Sequence, residues 1–200
     1  MMRSYRNMAP PTVLNLLIIN CLGLMATSLF PMLSYYLGLH TIQSQDFVAY
    51  QLITYMFLHG NLSHLFFNMF ALWMFGRTLE YELGSRRFLT YYMACGVGAG
   101  VIQVALGMLY PFSITVGASG AVFGLLLAFG VLHPNSVIML LIPPIPIKAK
   151  YFVMLYGALE LYLGWRNSIG DNVAHFAHLG GMLWGFILLT YWKYKRYIRY

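Results

Sequence analysis

A serine flanked by small residues is the first feature of this sequence that could do chemistry. Ser119 stands in SITVGASGAVFG, at the start of a stretch with no charged residue before Lys148. A hydroxyl at a helix N-terminus lies beside backbone N–H groups without helical partners, which can stabilise an oxyanion if the hydroxyl attacks a carbonyl. Gly120 and Gly124 form a GxxxG face that lets another helix approach closely. Close packing would explain these glycines but not the serine.

A histidine in the last apolar segment is the candidate base. In AHFAHLGGMLWG, His178 lies three residues before Gly181, and Gly181 forms a second GxxxG with Gly185. Residues three or four apart share one face of a helix. If the two glycine faces pack together, His178 comes within hydrogen-bonding reach of Ser119, as a serine nucleophile requires. His175 is a nearby competitor for the role of base.

A third polar group lies in HGNLSHLFFNM, where His64 and Asn68 are four residues apart on one helix face. Either side chain could instead hydrogen-bond to a neighbouring helix and serve packing only. No carboxylate obviously completes a triad, and Glu160 is set apart in the fifth apolar segment. We therefore predict a Ser–His dyad with slow catalysis, since loss of the third group in a true triad costs about 10⁴ in rate.

The elements that must position these residues are membrane spans. The chain of 200 residues is 60% hydrophobic and only 8% charged, with a mean hydropathy of +0.68, which is typical of a polytopic membrane protein. A span needs about 20 mostly apolar residues. We predict an all-α bundle of six transmembrane helices in a single domain, 1–200. The predicted spans are 13–32, 62–79, 88–109, 116–132, 152–165 and 175–192.

The basic residues predict the orientation of the spans. Of the 12 Lys and Arg residues, only Arg166 falls on the side opposite to the others. The positive-inside rule then places both termini in the cytoplasm, and the three polar segments share one depth near the outer surface. We assign the net charge of +7 to contact with lipid headgroups and not to nucleic acid. The loop 31–58 is expected to lie in the outer interface.

These motifs together resemble those of the rhomboid intramembrane serine proteases of the six-helix bacterial type, from about Tyr50 to the end of the sixth span. The matching residues are His59, His64 and Asn68; Gly117, Ala118, Ser119 and Gly120; and Ala177, His178, Gly181 and Gly185. The resemblance implies Ser119 as nucleophile and His178 as general base. It further implies that His64, Asn68 and the backbone N–H of Ser119 surround the oxyanion.

Other residues that match the family pattern are expected to support the structure of the site and not to take part in the chemistry. Phe123 stands where some members stack a tyrosine on the catalytic imidazole, and Glu80 with Gly84 matches a structural ExxxG motif. A Trp-Arg pair found in the first loop of some relatives is absent from 31–58, so the seating of this loop is not predicted. The resemblance implies cleavage of single-span membrane proteins in the bilayer, without metal or cofactor. From the cytoplasmic termini and the absence of a targeting extension we expect a bacterial inner membrane, with the site opening to the outer side.

Two other functions remain open at this point. One is a non-catalytic relative that binds membrane segments without cutting them, although such proteins usually lack the serine or the histidine. The other is a metal site or ion carrier built from His59, His64, His175 and His178, since histidine is the commonest metal ligand. This second function leaves Ser119 unexplained, and we expect no cysteine or carboxylate at the same depth.

Overall fold

The computed structural model describes residues 10–106, 114–140, 143–166, 174–195 and 197–198. The first nine residues and the last two lie outside the described residues, as does the end of the predicted third span, 107–109. The described helices are α1 (Pro11–Leu29), α2 (Met32–Leu37), α3 (Gln51–Thr54), α4 (Leu62–Ala71), α5 (Arg77–Leu83), α6 (Ser85–Leu106), α7 (Ser119–Leu132), α8 (Ala149–Arg166) and α9 (His175–Tyr194). A 3-10 turn at Tyr55–Phe57 follows α3, and a π-helical segment at Leu72–Gly76 joins α4 to α5.

The predicted all-α architecture is confirmed. Each predicted span coincides with one long helical stretch, the second being the run 62–83 formed by α4, the π-helical segment and α5. By length and apolar composition alone, two described helices could cross a membrane, Pro11–Leu29 and Ser85–Leu106, and Ser119–Leu132 is apolar but shorter. A small antiparallel hairpin of β1 (Val137–Met139) and β2 (Pro146–Lys148), which was not predicted, precedes α8.

Helix α7 forms the centre of the bundle. Its residues are buried on nearly every side, as expected of a helix that is apolar all round and surrounded by other helices. Small residues allow this burial because backbones can approach closely only where side chains are short. A methyl group added at Gly124 would collide with Cys95 of α6, and one added at Gly181 of α9 would collide with the carbonyl oxygen of Gly120.

Glu80 joins the start of α1 to the end of α5. Its carboxylate, 2% exposed, accepts hydrogen bonds from the backbone N–H groups of Thr12 at 2.9 Å and Val13 at 2.7 Å, and from Ser85 Oγ at 2.6 Å. The first N–H groups of a helix have no helical partner, so a carboxylate there satisfies them and interacts favourably with the helix dipole. Gly84 then ends α5 at φ 78°, a conformation that favours glycine. The ExxxG motif is therefore structural.

We predict that Glu80→Ala lowers the free energy of unfolding by about 2 kcal/mol, because it removes charge-assisted hydrogen bonds and leaves buried donors unpaired. Thermal unfolding of the purified protein in detergent measures this loss. The matched control is Glu82→Ala, which removes an exposed carboxylate that pairs with His133 at 2.9 Å and should cost less than about 1 kcal/mol. Equal losses in the two variants would contradict the capping function of Glu80.

Candidate active site

The serine lies at a constrained turn into the central helix. Ser119 is the first residue of α7 and is partly exposed, and Gly117, two residues earlier, has φ 131°. Only glycine adopts this backbone conformation readily. A Cβ atom at Gly117 would also lie 2.8 Å from Nε2 of His64, so the His64 ring packs directly on this turn. The glycine thus lets an imidazole of α4 approach the backbone next to the serine.

The segment before the serine is held by the loop 31–58. Thr115 exchanges two backbone hydrogen bonds of 2.9 Å with Leu39, and the N–H of Gly117 donates to the carbonyl of Tyr55 at 2.9 Å. Tyr55 is itself anchored, because its hydroxyl donates to the carbonyl of Gly96 on α6 at 2.7 Å. Backbone pairing with the first loop therefore fixes the path of the chain into Ser119.

The loop is in turn organised by one buried amide. Gln51 is 1% exposed. Its Oε1 accepts from the backbone N–H groups of His40 and Val48, and its Nε2 donates to the carbonyls of Tyr36 and Asp46. All of these bonds lie between 3.0 and 3.3 Å. The conformation of the loop therefore depends on hydrogen bonds within it.

Close packing of α7 against α9 brings the serine to a histidine. Ser119 Oγ lies 2.8 Å from Nε2 of His178. The contact follows from the glycines, since Gly181 lies against the backbone of Gly120 with no room for a side chain. His178 is 8% exposed and Ser119 is partly exposed, so the contact lies at the edge of the buried region.

An aromatic ring covers one face of this imidazole. Phe123, one turn into α7 from the serine, stacks on His178 with the ring centroids 4.2 Å apart and an angle of 7° between the planes. Phe123 also contacts Tyr156 of α8, at 5.4 Å between centroids. Stacking restricts rotation of the imidazole, and no hydroxyl on the aromatic ring is needed for it.

The expectation that no carboxylate lies beside the imidazole was wrong. Oε2 of Glu160 lies 2.9 Å from Nδ1 of His178 and 2.6 Å from Nδ1 of His175. Glu160 is 6% exposed. A signal was present, because a lone carboxylate in an apolar segment is a functional hypothesis by default. Counting inward from the end of α8 at Arg166 would have placed Glu160 at the depth of the first turns of α9.

The predicted oxyanion residues share α4. The side chain of Asn61 accepts from the backbone N–H of His64 at 2.8 Å and so caps the helix start. Asn68 Nδ2 donates to the carbonyl of His64 at 2.9 Å, which uses one of its two amide hydrogens. The backbone N–H of Gly60 donates to Nδ1 of His64 at 3.4 Å. A neutral His64 ring therefore carries its proton on Nε2, the atom that faces Gly117.

His59 occupies a supporting position behind these residues. Its ring lies edge-on to that of His64 with 5.0 Å between centroids. The side chain is 3% exposed, and neither ring nitrogen has a hydrogen-bond partner among the described residues. His59 therefore packs against His64 and lies in a different group from Glu160, His175 and His178. Among the described residues, only Glu160, His175 and His178 form a group of three possible metal ligands whose ligand atoms all lie within 4.8 Å of one another.

We predict that Gly181→Ala abolishes any activity that depends on Ser119 and His178, because the added methyl group must displace the Gly120 backbone and with it the serine. The matched control is Gly157→Ala on α8, where the new Cβ would meet only the flexible end of Met182 at 3.3 Å. Labelling of the serine by a fluorophosphonate probe reports the difference. Labelling of Gly181→Ala at the rate of the unchanged protein would contradict the importance of this contact.

Fold and site together define a polytopic helical membrane protein in which a serine hydroxyl, an imidazole and a carboxylate form a hydrogen-bonded chain at the start of a buried helix. Comparison with known proteins agrees: the Rhomboid domain matches residues 46–195. The chain therefore belongs to the rhomboid family, whose members are integral membrane proteins.

Three relatives illustrate the likeness. Rhomboid protein 1 of yeast mitochondria is 30% identical over 158 residues, which cover 75% of this chain and 44% of that protein. The Bacillus subtilis rhomboid YdcA is 33% identical over 155 residues, 76% of this chain and 71% of that protein. Rhomboid protease GluP of Bacillus subtilis is 32% identical over 142 residues, 68% of this chain and 25% of that protein. The chain thus spans less than half of the first and the third of these relatives.

Proposed function

We propose that this protein is an intramembrane serine endopeptidase that hydrolyses peptide bonds in or near the transmembrane segments of membrane proteins. The observation that carries the proposal is the 2.8 Å contact between Ser119 Oγ and Nε2 of His178 at the N-terminus of α7. A nucleophile needs a base within hydrogen-bonding reach, and this pair meets that requirement on two rigid, tightly packed helices. The name of the relative GluP, a rhomboid protease, supports the same activity.

The reaction follows from the positions of these groups. Ser119 Oγ attacks the carbonyl carbon of the scissile bond while Nε2 of His178 takes the hydroxyl proton. The tetrahedral intermediate collapses when His178 returns this proton to the leaving amine, which produces an acyl-enzyme. A water molecule, activated by the same imidazole, then cleaves the ester and regenerates the serine. These steps need no metal or cofactor, and we propose none.

Donors for the oxyanion come from two elements. The backbone N–H of Ser119 is one of the unpaired groups at the start of α7. The second donor is Nε2–H of His64, whose ring packs on Gly117, and Asn68 contributes its remaining amide hydrogen from the same helix face. Donors that are fixed before the reaction stabilise the developing charge without reorganisation.

The substrate class follows from the location of the site. A peptide in a regular helix has its carbonyls hydrogen-bonded within the helix, so a transmembrane segment must unwind before Ser119 can attack it. We propose single-span membrane proteins with a helix-breaking region near the cleavage site as substrates. From the distribution of Lys and Arg we further propose cytoplasmic termini and a site open to the outer side. Because two of the relatives are bacterial, we propose a bacterial inner membrane, and we propose one functional domain over 1–200.

The two rival functions have weaker support. A non-catalytic binding protein would not need the contact between Ser119 and His178. A metal site formed by all four predicted histidines receives no support from the contacts, because His59 packs against His64 while His175 and His178 share Glu160.

We predict that Ser119→Ala abolishes cleavage of a tagged single-span substrate in proteoliposomes, because no nucleophile remains. A fluorophosphonate probe should label the unchanged protein, and mass spectrometry should identify Ser119 as the modified residue. The matched control is Ser28→Ala, which removes an exposed hydroxyl bonded to the carbonyl of Leu24. Cleavage by Ser119→Ala at the unchanged rate would eliminate the protease assignment.

We predict that Asn68→Ala lowers kcat by about 10²- to 10³-fold with little change in KM, as expected for removal of one oxyanion donor. Asn20→Ala is a matched control, because Asn20 Nδ2 donates to the carbonyl of Leu16 in the same i to i−4 pattern on a different helix, α1. Any loss of stability common to both variants appears in their thermal unfolding. A kcat for Asn68→Ala equal to that of Asn20→Ala would remove Asn68 from the oxyanion site.

A further inference from the structure

We propose that Glu160 is a positioning residue, whose single oxygen Oε2 accepts N–H donors from both His178 and His175 and thereby holds His178 in the tautomer that acts as a base. The inference rests on the proposed function of Ser119 and His178. It replaces the predicted dyad with a chain of four groups that runs from Ser119 through His178 and Glu160 to His175.

Hydrogen-bonding capacity supports this assignment. An ionised carboxylate is an acceptor only, so each imidazole nitrogen in contact with Oε2 must carry a proton. These nitrogens are Nδ1 of His178 at 2.9 Å and Nδ1 of His175 at 2.6 Å. A neutral His178 with its proton on Nδ1 has its lone pair on Nε2, which lies 2.8 Å from Ser119 Oγ. The carboxylate therefore selects the tautomer that can accept the serine proton.

The same carboxylate stabilises the charge that develops during the reaction. His178 becomes an imidazolium when it accepts the proton of Ser119, and Glu160 then lies beside a full positive charge. Since both residues are buried, with 8% of His178 and 6% of Glu160 exposed, their attraction is weakened less by water than at a surface. The carboxylate of a serine protease triad acts on its histidine in this manner.

The contact with His175 helps to explain why a carboxylate is tolerated in a largely apolar helix. A buried charge is costly unless it is paired and hydrogen-bonded. His175 and His178 are three residues apart in the first turns of α9, so both rings face α8. Glu160 thus receives two N–H donors from one helix face, and His175 anchors the carboxylate while His178 uses it.

A metal ion between these three side chains is the principal competing explanation. Tetrahedral zinc ligands at their usual bond lengths lie about 3.3 Å apart. The separations of 2.6 and 2.9 Å between Oε2 and the two Nδ1 atoms are those of direct hydrogen bonds. Both Nδ1 atoms would also have to lose their protons to bind an ion.

The decisive variant is Glu160→Gln, which keeps the shape of the side chain but removes its charge and can present an amide N–H₂ group to Nδ1 of His178. We expect kcat for substrate cleavage to fall by roughly 10²- to 10⁴-fold while KM stays within about threefold, since the loss concerns the proton transfer and not substrate binding. Glu160→Asp restores the charge at a slightly longer distance and should recover at least about tenfold of the loss in kcat.

The matched control is Glu82→Gln, the same change in the exposed pair of Glu82 and His133, which also lie 2.9 Å apart. This control should leave kcat unchanged. An unchanged kcat in Glu160→Gln, or equal kcat values in Glu160→Gln and Glu160→Asp, would overturn the inference, because a purely structural carboxylate gives no rescue by charge. His175→Ala should retain more activity than Glu160→Gln, and an activity below that of Glu160→Gln would also contradict the order of the chain.

A measurement on the unsubstituted protein keeps the inference testable if the Glu160 variants do not fold. Nitrogen-15 NMR of the protein with labelled histidine, with His178 assigned by comparison with His178→Ala, should find the proton on Nδ1. A proton on Nε2 alone would overturn the inference. Loss of cleavage on treatment with a chelator, together with one bound zinc per chain, would show that the cluster is a metal site.

Failure of the proposed function has a different signature. In that case the unsubstituted protein neither cleaves the substrate nor reacts with the fluorophosphonate probe at Ser119. If Ser119 is labelled and Glu160→Gln is labelled equally fast, the protease assignment stands and only the role of Glu160 is rejected.

Discussion

The contact of Gly120 with Gly181 is the constraint on which the candidate site depends. Helices in a bilayer gain little from burying apolar surface, because lipid is already apolar, and they associate through close packing and hydrogen bonds. At this crossing the carbonyl of Gly120 occupies the space that any side chain at Gly181 would need. Because the two backbones pack this closely, Ser119 and His178 on these helices are held near enough to form their 2.8 Å hydrogen bond.

Three contacts fix the orientation of the His178 imidazole. Phe123 covers one face of the imidazole, Glu160 holds its Nδ1 atom, and the hydroxyl of Ser119 faces Nε2. The position of Ser119 is set separately, by backbone hydrogen bonds between 115–117 and the first loop. The first loop is itself held together by the buried amide of Gln51 and by backbone hydrogen bonds.

The residues differ in how far the sequence predicted their positions. The helices, the turn at Ser119 and the approach of His178 follow from apolar length and glycine spacing, which depend on local pattern. The contact of Glu160 with His178 was missed because the sequence of α8 has no periodic pattern that indicates which neighbouring helix its one carboxylate faces. Partners in tertiary hydrogen bonds are set by the rotation of a helix about its axis, and that rotation depends on packing with α7 and α9. The hairpin before α8 was missed because prolines indicate only that a helix stops.

Burial of Glu160 has a consequence for the whole α8–α9 pair. An uncompensated charge in this environment would cost several kcal/mol, so the position of α8 is tied to the presence of two N–H donors on α9. The same requirement explains why the first turns of α9 carry two histidines three residues apart, although the serine contacts only one of them. One carboxylate oxygen thus contacts both histidines of α9, and one of these histidines also contacts Ser119, so the proposed reaction and the packing of α8 on α9 share the same group.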